Sequence, residues 1–381
     1  MDFSLNSEQS QLRESVQRFV ERDYGFEARK KIVALPGGFS RDHWRTFAEL
    51  GWLGAALPED VGGLGGTSID TMIVMEEFGR GLVAEPYLST AVLGAQLVNV
   101  AGNAKQRQDL LPALIAGELL LAVAYSEPQS AGAADWVEAK AERTRTGWRL
   151  SGRKSQVLGG PTADRLIVAA RTAGATDARD GVTLFIVEPG CKGLVRQDYR
   201  LIDRTPVSGL VMDGLEVGDN AVLGQVGAGL APLELAIDHA IVASSAEALG
   251  AMEQAMWTTR DYLKTRTAFG TTLSTFQALR HRMADMLVEL EQARSIVYRG
   301  IAALREDDPE RRQHGVAATK IHIGQSGQFI GGQAIQLHGG IGMTEEYRIG
   351  HYFKRLSVIE TLFGNTDLHV QRYGARLLDI A

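Results

Sequence analysis

The stretch RTAFGTTLSTFQALRHRMADM, residues 266–286, decides the fold of this 381-residue chain. Apolar residues recur at three- and four-residue spacing through residues 279–290, which predicts a helix with one apolar face. Residues 269–271 (FGT) interrupt the pattern directly before that helix. Arg266 suits a phosphate there, because a guanidinium grips two oxygens and the first N–H groups of a helix add donors. The alternative is a surface arginine at a joint between two helices.

A second stretch, residues 336–345 (QLHGGIGMTE), is rich in glycine. Gly339, Gly340 and Gly342 predict the end of a helix and let the backbone come close to another molecule. A helix C-cap with a tight turn is the alternative. In the first stretch, Gln277 offers both a donor and an acceptor to a polar ring edge.

These two stretches together resemble the acyl-CoA dehydrogenase family, flavoenzymes that form an α,β double bond in acyl-CoA thioesters. In that family R-x-x-F-G, a following F-Q and a later Q-x-x-G-G occur in this order, and the resemblance covers almost the whole chain. Three further segments fall in family order: EEFGRGLVAEPY from Glu76, Ser126–Glu127–Pro128 and Gly152–Arg153–Lys154. More narrowly, GHYFKRL from Gly350 and TLFG from Thr361 resemble the small subunit of a two-gene acyl-CoA dehydrogenase, of the pimeloyl-CoA dehydrogenase small-subunit kind.

Composition and charge argue against several classes of protein. A formal net charge of −6 and 45% hydrophobic residues indicate a globular chain with a substantial core and argue against nucleic acid as a partner. No apolar run is long enough to predict a membrane span. The single cysteine, Cys191, and an N-terminus without a leader-like pattern favour a reducing, cytoplasmic setting. His338 has no second ligand at metal-binding spacing, so no metal site is expected.

The periodicity changes twice along the chain, which predicts three domains. Residues 1–121 carry helical patterns, with Asn6 or Ser7 as the first N-cap. Short apolar runs between turn residues follow in residues 122–228 and predict a small β-barrel or sandwich. Residues 229–381 return to long helical patterns, for which we expect helices at about 232–268, 275–304, 312–336 and from about 366, with a charged loop at 306–312. The resemblance implies an α+β fold of the acyl-CoA dehydrogenase kind, with an N-terminal helical domain, a central β-barrel domain and a C-terminal four-helix bundle that builds the oligomer.

The family chemistry needs a carboxylate base, because dehydrogenation across Cα–Cβ of a thioester sends a proton to a base and a hydride to the flavin. The resemblance implies a Glu before a Gly near the C-terminus. The matching segment is Leu362–Phe363–Gly364–Asn365, and Phe363 cannot accept a proton. The other family position for the base falls at Ala240. A slip of two residues makes Asp238 the candidate base.

Two further carboxylates stand near these positions. Glu360 lies three residues before Phe363 and is a weaker candidate for the base. Its alternative role is an ion pair with Lys354 or Arg355. Glu234 lies about one helical turn before Asp238.

The resemblance implies FAD as the cofactor, with each flavin held between two subunits. The half of the site that a neighbouring chain provides is complete here and consists of Arg266, Phe269, Gln277, Gln336, Gly339 and Gly340. The half beside the flavin ring is changed, since the family's Trp–Ile–Thr is Gln156–Val157–Leu158 and Leu158 offers no hydrogen bond. Ser126 keeps one hydroxyl, and the Gly–Ser–Asp that normally follows is loosened to residues 131–135 (AGAAD).

This asymmetry favours a heteromeric enzyme. In that interpretation the chain is the base-lacking β chain of an α2β2 acyl-CoA dehydrogenase, with a homologous large α subunit, an acyl-CoA substrate and an electron-transfer flavoprotein as partners. One alternative is a self-sufficient homotetramer with Asp238 as its base. Further alternatives are a flavin-free scaffold protein and a relative of flavin monooxygenases or nitroalkane oxidases. The acyl group is left open between dicarboxylyl, steroid side-chain, fatty and aromatic-derived thioesters.

Overall fold

The computed structural model describes residues 4–378, which form two compact units. The first, here called the bundle unit, contains residues 4–31, 72–83 and 241–378. The second, here called the sheet unit, contains residues 32–71 and 84–240. Among the described residues, no helix combines the length and the apolar character that crossing a membrane would require.

Helices dominate both ends of the chain. In chain order they are α1 (Ser7–Asp23), α2 (Phe26–Ala34), α3 (Arg41–Glu49), α4 (Ser68–Gly81), α5 (Ala95–Ala101), α6 (Ala104–Ile115), α7 (Leu230–Thr265), α8 (Gln277–Ala303), α9 (Pro309–His338), α10 (Arg348–Thr361) and α11 (Thr366–Leu378). A buried π-helical segment, Leu88–Gly94, leads into α5. The long C-terminal helices α7, α8, α9 and α11 agree with the predicted positions to within three residues at each predicted end.

Capping residues set the helix starts. The Asn6 side chain accepts the Gln9 N–H at 2.8 Å and the Gln9 side chain returns the bond, so the predicted N-cap at Asn6 is confirmed. Helix α9 begins at Pro309 because the Asp308 carboxylate accepts an N–H of its first turn at 2.9 Å. The loop predicted at 306–312 is therefore too long, since its second half is the first turn of α9.

Helix α10 is missing from the predicted set of helices. Its buried residues Ile349, Tyr352, Leu356 and Ile359 recur at three- and four-residue spacing and form one apolar face. Gly350 near its start lowers the helix propensity. The structure needs that glycine, because a Cβ there would lie 3.0 Å from the carbonyl oxygen of a residue in the preceding glycine-rich turn.

One mixed eight-stranded sheet forms the core of the sheet unit. Its strands are β1 (Leu121–Ala124), β2 (Lys140–Arg143), β3 (Gly147–Leu158), β4 (Arg165–Arg171), β5 (Val182–Val187), β6 (Leu194–Arg200), β7 (Pro206–Gly218) and β8 (Val222–Leu223). The order is β6-β7-β3-β2-β4-β5-β8, with β1 beside β4. Strands β1 and β2 pair with β4 in parallel, and the other pairs are antiparallel. One face of the sheet is closed by a fully buried cluster that includes Leu150, Leu166 and Phe185.

The α+β class is confirmed: helices at the N-terminal end, a central sheet and a C-terminal helical bundle occur in the predicted order. The predicted domain limits 1–121, 122–228 and 229–381 stay predictions.

Helices α4 and α7 touch backbone to backbone inside the bundle unit. A Cβ at Gly79 would lie 1.9 Å from the Glu247 carbonyl oxygen, and a Cβ at Gly250 would lie 1.9 Å from the Glu76 carbonyl oxygen. The Glu76 carboxylate is buried beside this crossing and accepts hydrogen bonds from Arg13, Arg80 and Arg294. The EEFGRG segment therefore has a packing role in this chain.

Candidate functional site

A short hairpin follows α7 and carries Arg266 and Phe269. Its strands are β9 (Thr267–Ala268) and β10 (Thr271–Thr272), paired antiparallel. Phe269 and Gly270 at its tip have φ of 54° and 80°, the backbone of a type I′ turn. The Phe269 side chain is 91% exposed. A positive φ strains the backbone of a phenylalanine, and its exposed ring costs solvation free energy. Both features are typical of a segment that contacts another molecule.

The guanidinium of Arg266 is exposed and, within residues 4–378, forms no ion pair. Its backbone N–H continues the last turn of α7 by donating to the Tyr262 carbonyl at 2.8 Å. Gln277 is the exposed first residue of α8, and Phe276 before it provides no side-chain cap. The Leu279 N–H donates to the Phe276 carbonyl at 3.1 Å, which leaves the first two N–H groups of α8 open to an outside acceptor.

The glycine-rich turn after α9 is exposed and leaves open space beside its backbone. Gly339 has φ of 65° and ψ of −143°, a conformation that requires glycine. A Cβ added at Gly339 or Gly340 would meet no atom of the chain within 4 Å. In contrast, a Cβ at Gly342 would meet the Ile335 carbonyl oxygen at 3.1 Å, so that glycine serves internal packing. Gln336, Gly339 and Gly340 are all exposed.

The six residues predicted for the neighbour's half of a flavin site thus share two properties. Each of them is exposed, and all belong to the bundle unit. An arginine, uncapped helix N–H groups and a turn open to approach are the donor set that a diphosphate needs. These residues fit the FAD diphosphate.

His338 lies directly before this turn and is 4% exposed. Its Nδ1 donates to the Ala334 carbonyl at 2.8 Å, since a carbonyl oxygen can only accept. Burial lowers the pKa of the imidazole, so the ring is neutral. Within the described part of the chain, no cluster of three His, Cys, Asp or Glu side chains is arranged to hold a metal ion.

The positions predicted beside the flavin ring meet in the sheet unit. The Ser155 N–H donates to the Ser126 carbonyl at 2.9 Å, which fixes the segment after β1 against β3. The pairing of β3 with β7 shifts between Lys154 and Val157, and Gln156 occupies this bulge with φ of 51°. The Gln156 side chain is exposed. Leu158, at the position of the family's threonine, is half-buried and has no hydroxyl to offer.

A buried ion pair that the sequence analysis did not identify holds Ser126 in place. The Lys154 ammonium donates to the Glu127 carboxylate at 2.6 Å and to the Tyr125 carbonyl at 3.2 Å. The same carboxylate accepts the backbone N–H groups of Glu138 and Ala139 at 2.7 and 3.0 Å. This pair explains why Ser–Glu–Pro and Gly–Arg–Lys occur together, and no sequence pattern joins its two members.

The loosened segment 131–135 is also held from outside. Arg171 on β4 is 7% exposed and points its guanidinium at backbone carbonyls around this segment. The accepting carbonyls are those of Asp135, Val137, Thr176, Ala178 and Asp180. A single buried guanidinium therefore ties two loops together through their backbone carbonyls.

The position predicted for the catalytic base is occupied by a buried hydrocarbon side chain. Phe363 is 5% exposed and has φ of 60°, a strained value for a bulky residue. Its carbonyl accepts a hydrogen bond from His369 Nε2 at 3.0 Å, and Gly364 follows with φ of 94°. Burial lowers the pKa of His369 to about 4. The loop is thus held firmly around a side chain that cannot take a proton.

Glu360 has a structural partner. Its carboxylate accepts the Thr366 N–H at 2.9 Å, at the start of α11. Lys354 pairs with Glu345, and Arg355 donates to both oxygens of Glu247. The predicted ion pair of Glu360 with Lys354 or Arg355 is therefore wrong, and Glu360 caps α11 instead.

Asp238 lies on α7 and is 6% exposed, where it interacts with other groups of the protein. Ala240, the aligned family position, is fully buried. Glu234 forms an ion pair with Arg179 at 2.6 Å. The structure thus leaves Asp238 as the carboxylate on this helix segment whose role as a base is still a prediction.

Comparisons with known proteins identify the family and the fold. Three family models match consecutive parts of the chain: acyl-CoA dehydrogenase N-terminal domain (residues 6–118), middle domain (122–228) and C-terminal domain (227–378). A mitochondrial isovaleryl-CoA dehydrogenase from Solanum tuberosum is 30% identical over 379 residues, which cover 97% of this chain and 90% of the relative. The solved butyryl-CoA dehydrogenase from Megasphaera elsdenii has a TM-score of 0.89 at 25% identity and covers 99% of this chain and 100% of its own. A solved variant of the Tcur3481-Tcur3483 steroid ACAD has a TM-score of 0.88 at 28% identity and covers 99% of both chains.

Proposed function

This chain belongs to the acyl-CoA dehydrogenase family, whose members are FAD-dependent, and we propose that it is the base-lacking subunit of a heteromeric acyl-CoA dehydrogenase. The reaction removes a proton from Cα and a hydride from Cβ of an acyl-CoA thioester. FAD, when bound, accepts the hydride. In this proposal the chain contributes cofactor contacts, and a homologous partner chain contributes the base that accepts the proton.

The observation that carries the proposal is the contrast between two sets of residues. The base position holds Phe363, which is 5% exposed and has no proton acceptor on its side chain. The residues for the neighbour's half of the flavin site, among them Arg266 and Gly340, are exposed and unengaged by their own packing. A chain that leaves proton transfer to its partner but contributes to a shared cofactor site would keep the cofactor contacts. It could lose the base.

Each contact residue has a definite task in this proposal. Arg266 pairs its guanidinium with a diphosphate oxygen, and the open N–H groups at the start of α8 donate to the same group. The turn at Gly339 and Gly340 lets backbone N–H groups come within reach of the cofactor. Gln277 and Gln336 read polar edges of the nucleotide, since each amide carries a donor and an acceptor.

The ring side of this chain supports the same assignment. Gln156 and Leu158 stand where the family resemblance implies an aromatic ring and a hydroxyl, and the leucine side chain cannot hydrogen-bond a flavin. Ser126 is the one hydroxyl that is kept. We assign the ring contacts and the exclusion of water around the reacting carbons to the partner chain.

The relatives support a heteromer and an acyl-CoA substrate. The steroid ACAD at 28% identity is named after two components, Tcur3481 and Tcur3483. The isovaleryl- and butyryl-CoA dehydrogenases act on acyl-CoA thioesters, as their names state. We propose an electron-transfer flavoprotein as the acceptor of the electrons that leave the reduced cofactor.

The deciding experiment is the flavin content of the chain, measured by visible absorbance and native mass. The chain is expressed alone and then together with the nearest homologous chain of the same genome. We expect flavin-free protein alone and about one FAD per two chains in the mixed assembly. Stoichiometric flavin with dehydrogenase activity in the chain alone would overturn the proposal, and a mixed assembly without any flavin would favour a scaffold.

A second candidate function rests on Asp238, which is 6% exposed on α7 close to the alternative family position for a base. In that case the chain would form a self-sufficient homo-oligomer. The single chain would then dehydrogenate acyl-CoA, and Asp238→Asn would abolish turnover while leaving bound FAD in place. The isosteric amide keeps the shape of the side chain, so loss of activity would report on the proton acceptor.

A further inference from the structure

Three aromatic rings meet between the two motifs that carry the cofactor contacts. The ring of Tyr262 on α7 stacks on His338 at the end of α9, with centroids 4.3 Å apart and planes inclined by 27°. Tyr347, in the segment before α10, packs against His338 at 5.1 Å and against Tyr262 at 6.3 Å. The Tyr262 hydroxyl also points at the His338 carbonyl oxygen, 3.4 Å away. All three residues belong to the bundle unit.

The stack is tied to both motifs through the backbone. Tyr262 lies one helical turn before Arg266, and its carbonyl accepts the Arg266 N–H at 2.8 Å. Arg266 is the first residue after α7, and this backbone bond fixes its position relative to Tyr262. His338 is the residue directly before Gly339. The contact between Tyr262 and His338 is thus where the end of α7 meets the start of the glycine turn.

The imidazole is held in one state. Nδ1 donates to the Ala334 carbonyl, so Nε2 is the unprotonated nitrogen. Nε2 is buried and has no hydrogen-bond partner among residues 4–378. An apolar side chain would avoid this unsatisfied acceptor, and the histidine is therefore worse than a leucine for stability alone. What the flat ring provides and leucine lacks is face-to-face contact with Tyr262.

We infer that Tyr262 and His338 are positioning residues that hold Arg266 and the Gly339–Gly340 turn in place relative to each other, as contacts for the FAD diphosphate. The inference rests on the proposed function, because it takes Arg266 and this turn as cofactor contacts. A ligand that spans two elements binds tightly only when both are held in place beforehand. Tyr262 and His338 act through their backbone neighbours and need not touch the cofactor.

The test follows FAD release from the flavin-loaded assembly that this chain forms. The assembly is diluted, and the rise in free-flavin fluorescence gives the release rate. Tyr262→Leu keeps an apolar side chain on the helix but removes the ring, and we expect release about 10-fold faster. Tyr262→Phe keeps the ring and loses the hydroxyl, and release is expected within about twofold of the unmodified protein.

The chain offers a matched control. Tyr373 on α11 stacks on His314 with centroids 3.9 Å apart and planes inclined by 25°, in the same unit but outside both motifs. Tyr373→Leu removes a stack of the same kind and is expected to leave FAD release unchanged. Equal acceleration by Tyr373→Leu and Tyr262→Leu would overturn the inference, because the effect would then be general loosening of the bundle.

A double-mutant cycle tests whether the two residues act together. If the stack is the functional unit, His338→Leu in the Tyr262→Leu background adds less than about twofold to the release rate. Independent, multiplying effects of the two substitutions would overturn the inference.

Arg266→Ala separates this inference from the proposed function. If Arg266→Ala released FAD faster and Tyr262→Leu had no effect, the proposed function would be supported and the positioning role would be refuted. If FAD release were unchanged in Arg266→Ala, this motif would not hold FAD. The positioning role and the proposed function would then both be refuted.

Discussion

Gly340→Ala separates the two reasons for a glycine in the turn after α9. A Cβ at Gly340 would meet no atom of this chain within 4 Å, and its φ lies outside the left-handed region. Alanine is therefore sterically allowed. Replacing such a glycine leaves the free energy of unfolding unchanged or raises it by about 0.4–1 kcal/mol, because the unfolded chain loses freedom. Stability alone gives no reason for glycine at this place.

FAD binding is expected to change in the opposite direction. A methyl group on the face that a diphosphate approaches pushes the ligand away from the backbone N–H groups. We expect FAD release from the loaded assembly to be at least about 10-fold faster, a loss of about 1.4 kcal/mol. Release is followed by flavin fluorescence after dilution, and the thermal midpoint is measured on the same samples.

Gly342→Ala is the control within the same turn. Its Cβ would meet the His338 Cβ and the Ile335 carbonyl oxygen, each at 3.1 Å, so we expect lower stability by about 1–3 kcal/mol. If Gly340→Ala changed neither FAD release nor the thermal midpoint, nothing would approach this turn, and the reasoning from its open space would be refuted.

Three further predictions concern buried contacts. Gly79→Ala places a Cβ 1.9 Å from a carbonyl oxygen of α7 and is expected to destabilise the chain by about 3 kcal/mol or more in urea unfolding; a midpoint shift near zero would contradict the backbone contact. Glu127→Gln leaves the Lys154 ammonium buried without its charge partner, and we expect a loss of about 3–5 kcal/mol, whereas removal of the carboxylate of the exposed Glu216 should change the midpoint little. The pKa of His369 is lowered to about 4 from 6.5, so the unfolded chain binds more protons between these values, and the free energy of unfolding should fall by up to about 3 kcal/mol as the pH drops from 6.5 to 4; His369→Phe should flatten that slope.

The sequence predicts well whatever depends on neighbours along the chain. The N-cap at Asn6 and the start of α11 at Thr366 follow from local capping and spacing, and the structure confirms both. The exposed hairpin tip at Phe269 follows a break in the apolar pattern. α10 is missed because Gly350 weakens the helical signal, although the glycine is required by the turn that α10 packs on. Helix propensity alone predicts that Gly350 opposes a helix here, because propensity takes no account of the contact between Gly350 and the preceding turn.

Contacts between residues that are far apart in the sequence cannot be predicted from local patterns. Lys154 and Glu127 are 27 residues apart, and Tyr262 and His338 are 76 apart. Each partner alone has an ordinary alternative: a surface lysine, a core tyrosine or a helix-ending histidine. The sequence offers one signal for Tyr262, because it precedes Arg266 by four residues and so lies one turn before it at the end of the predicted helix. Which ring it meets on the other side depends on the packing of α7 against α9.

The backbone around Phe363 keeps a strained conformation, with φ of 60°, although the side chain is a hydrocarbon. Hydrogen bonds to the backbone hold this conformation. His369 donates to the Phe363 carbonyl, and the buried Lys320 donates to the carbonyl of Ile359 in the last turn of α10. Glu360, in the last turn of α10, accepts the Thr366 N–H at the start of α11. These contacts involve the backbone around position 363, whereas the phenyl ring is itself buried, so a carboxylate at this place would have to be protonated or hydrogen-bonded to be tolerated. In the proposed heteromer the partner chain supplies the base, so position 363 need not hold a proton acceptor and can hold a buried hydrocarbon that stabilises the loop.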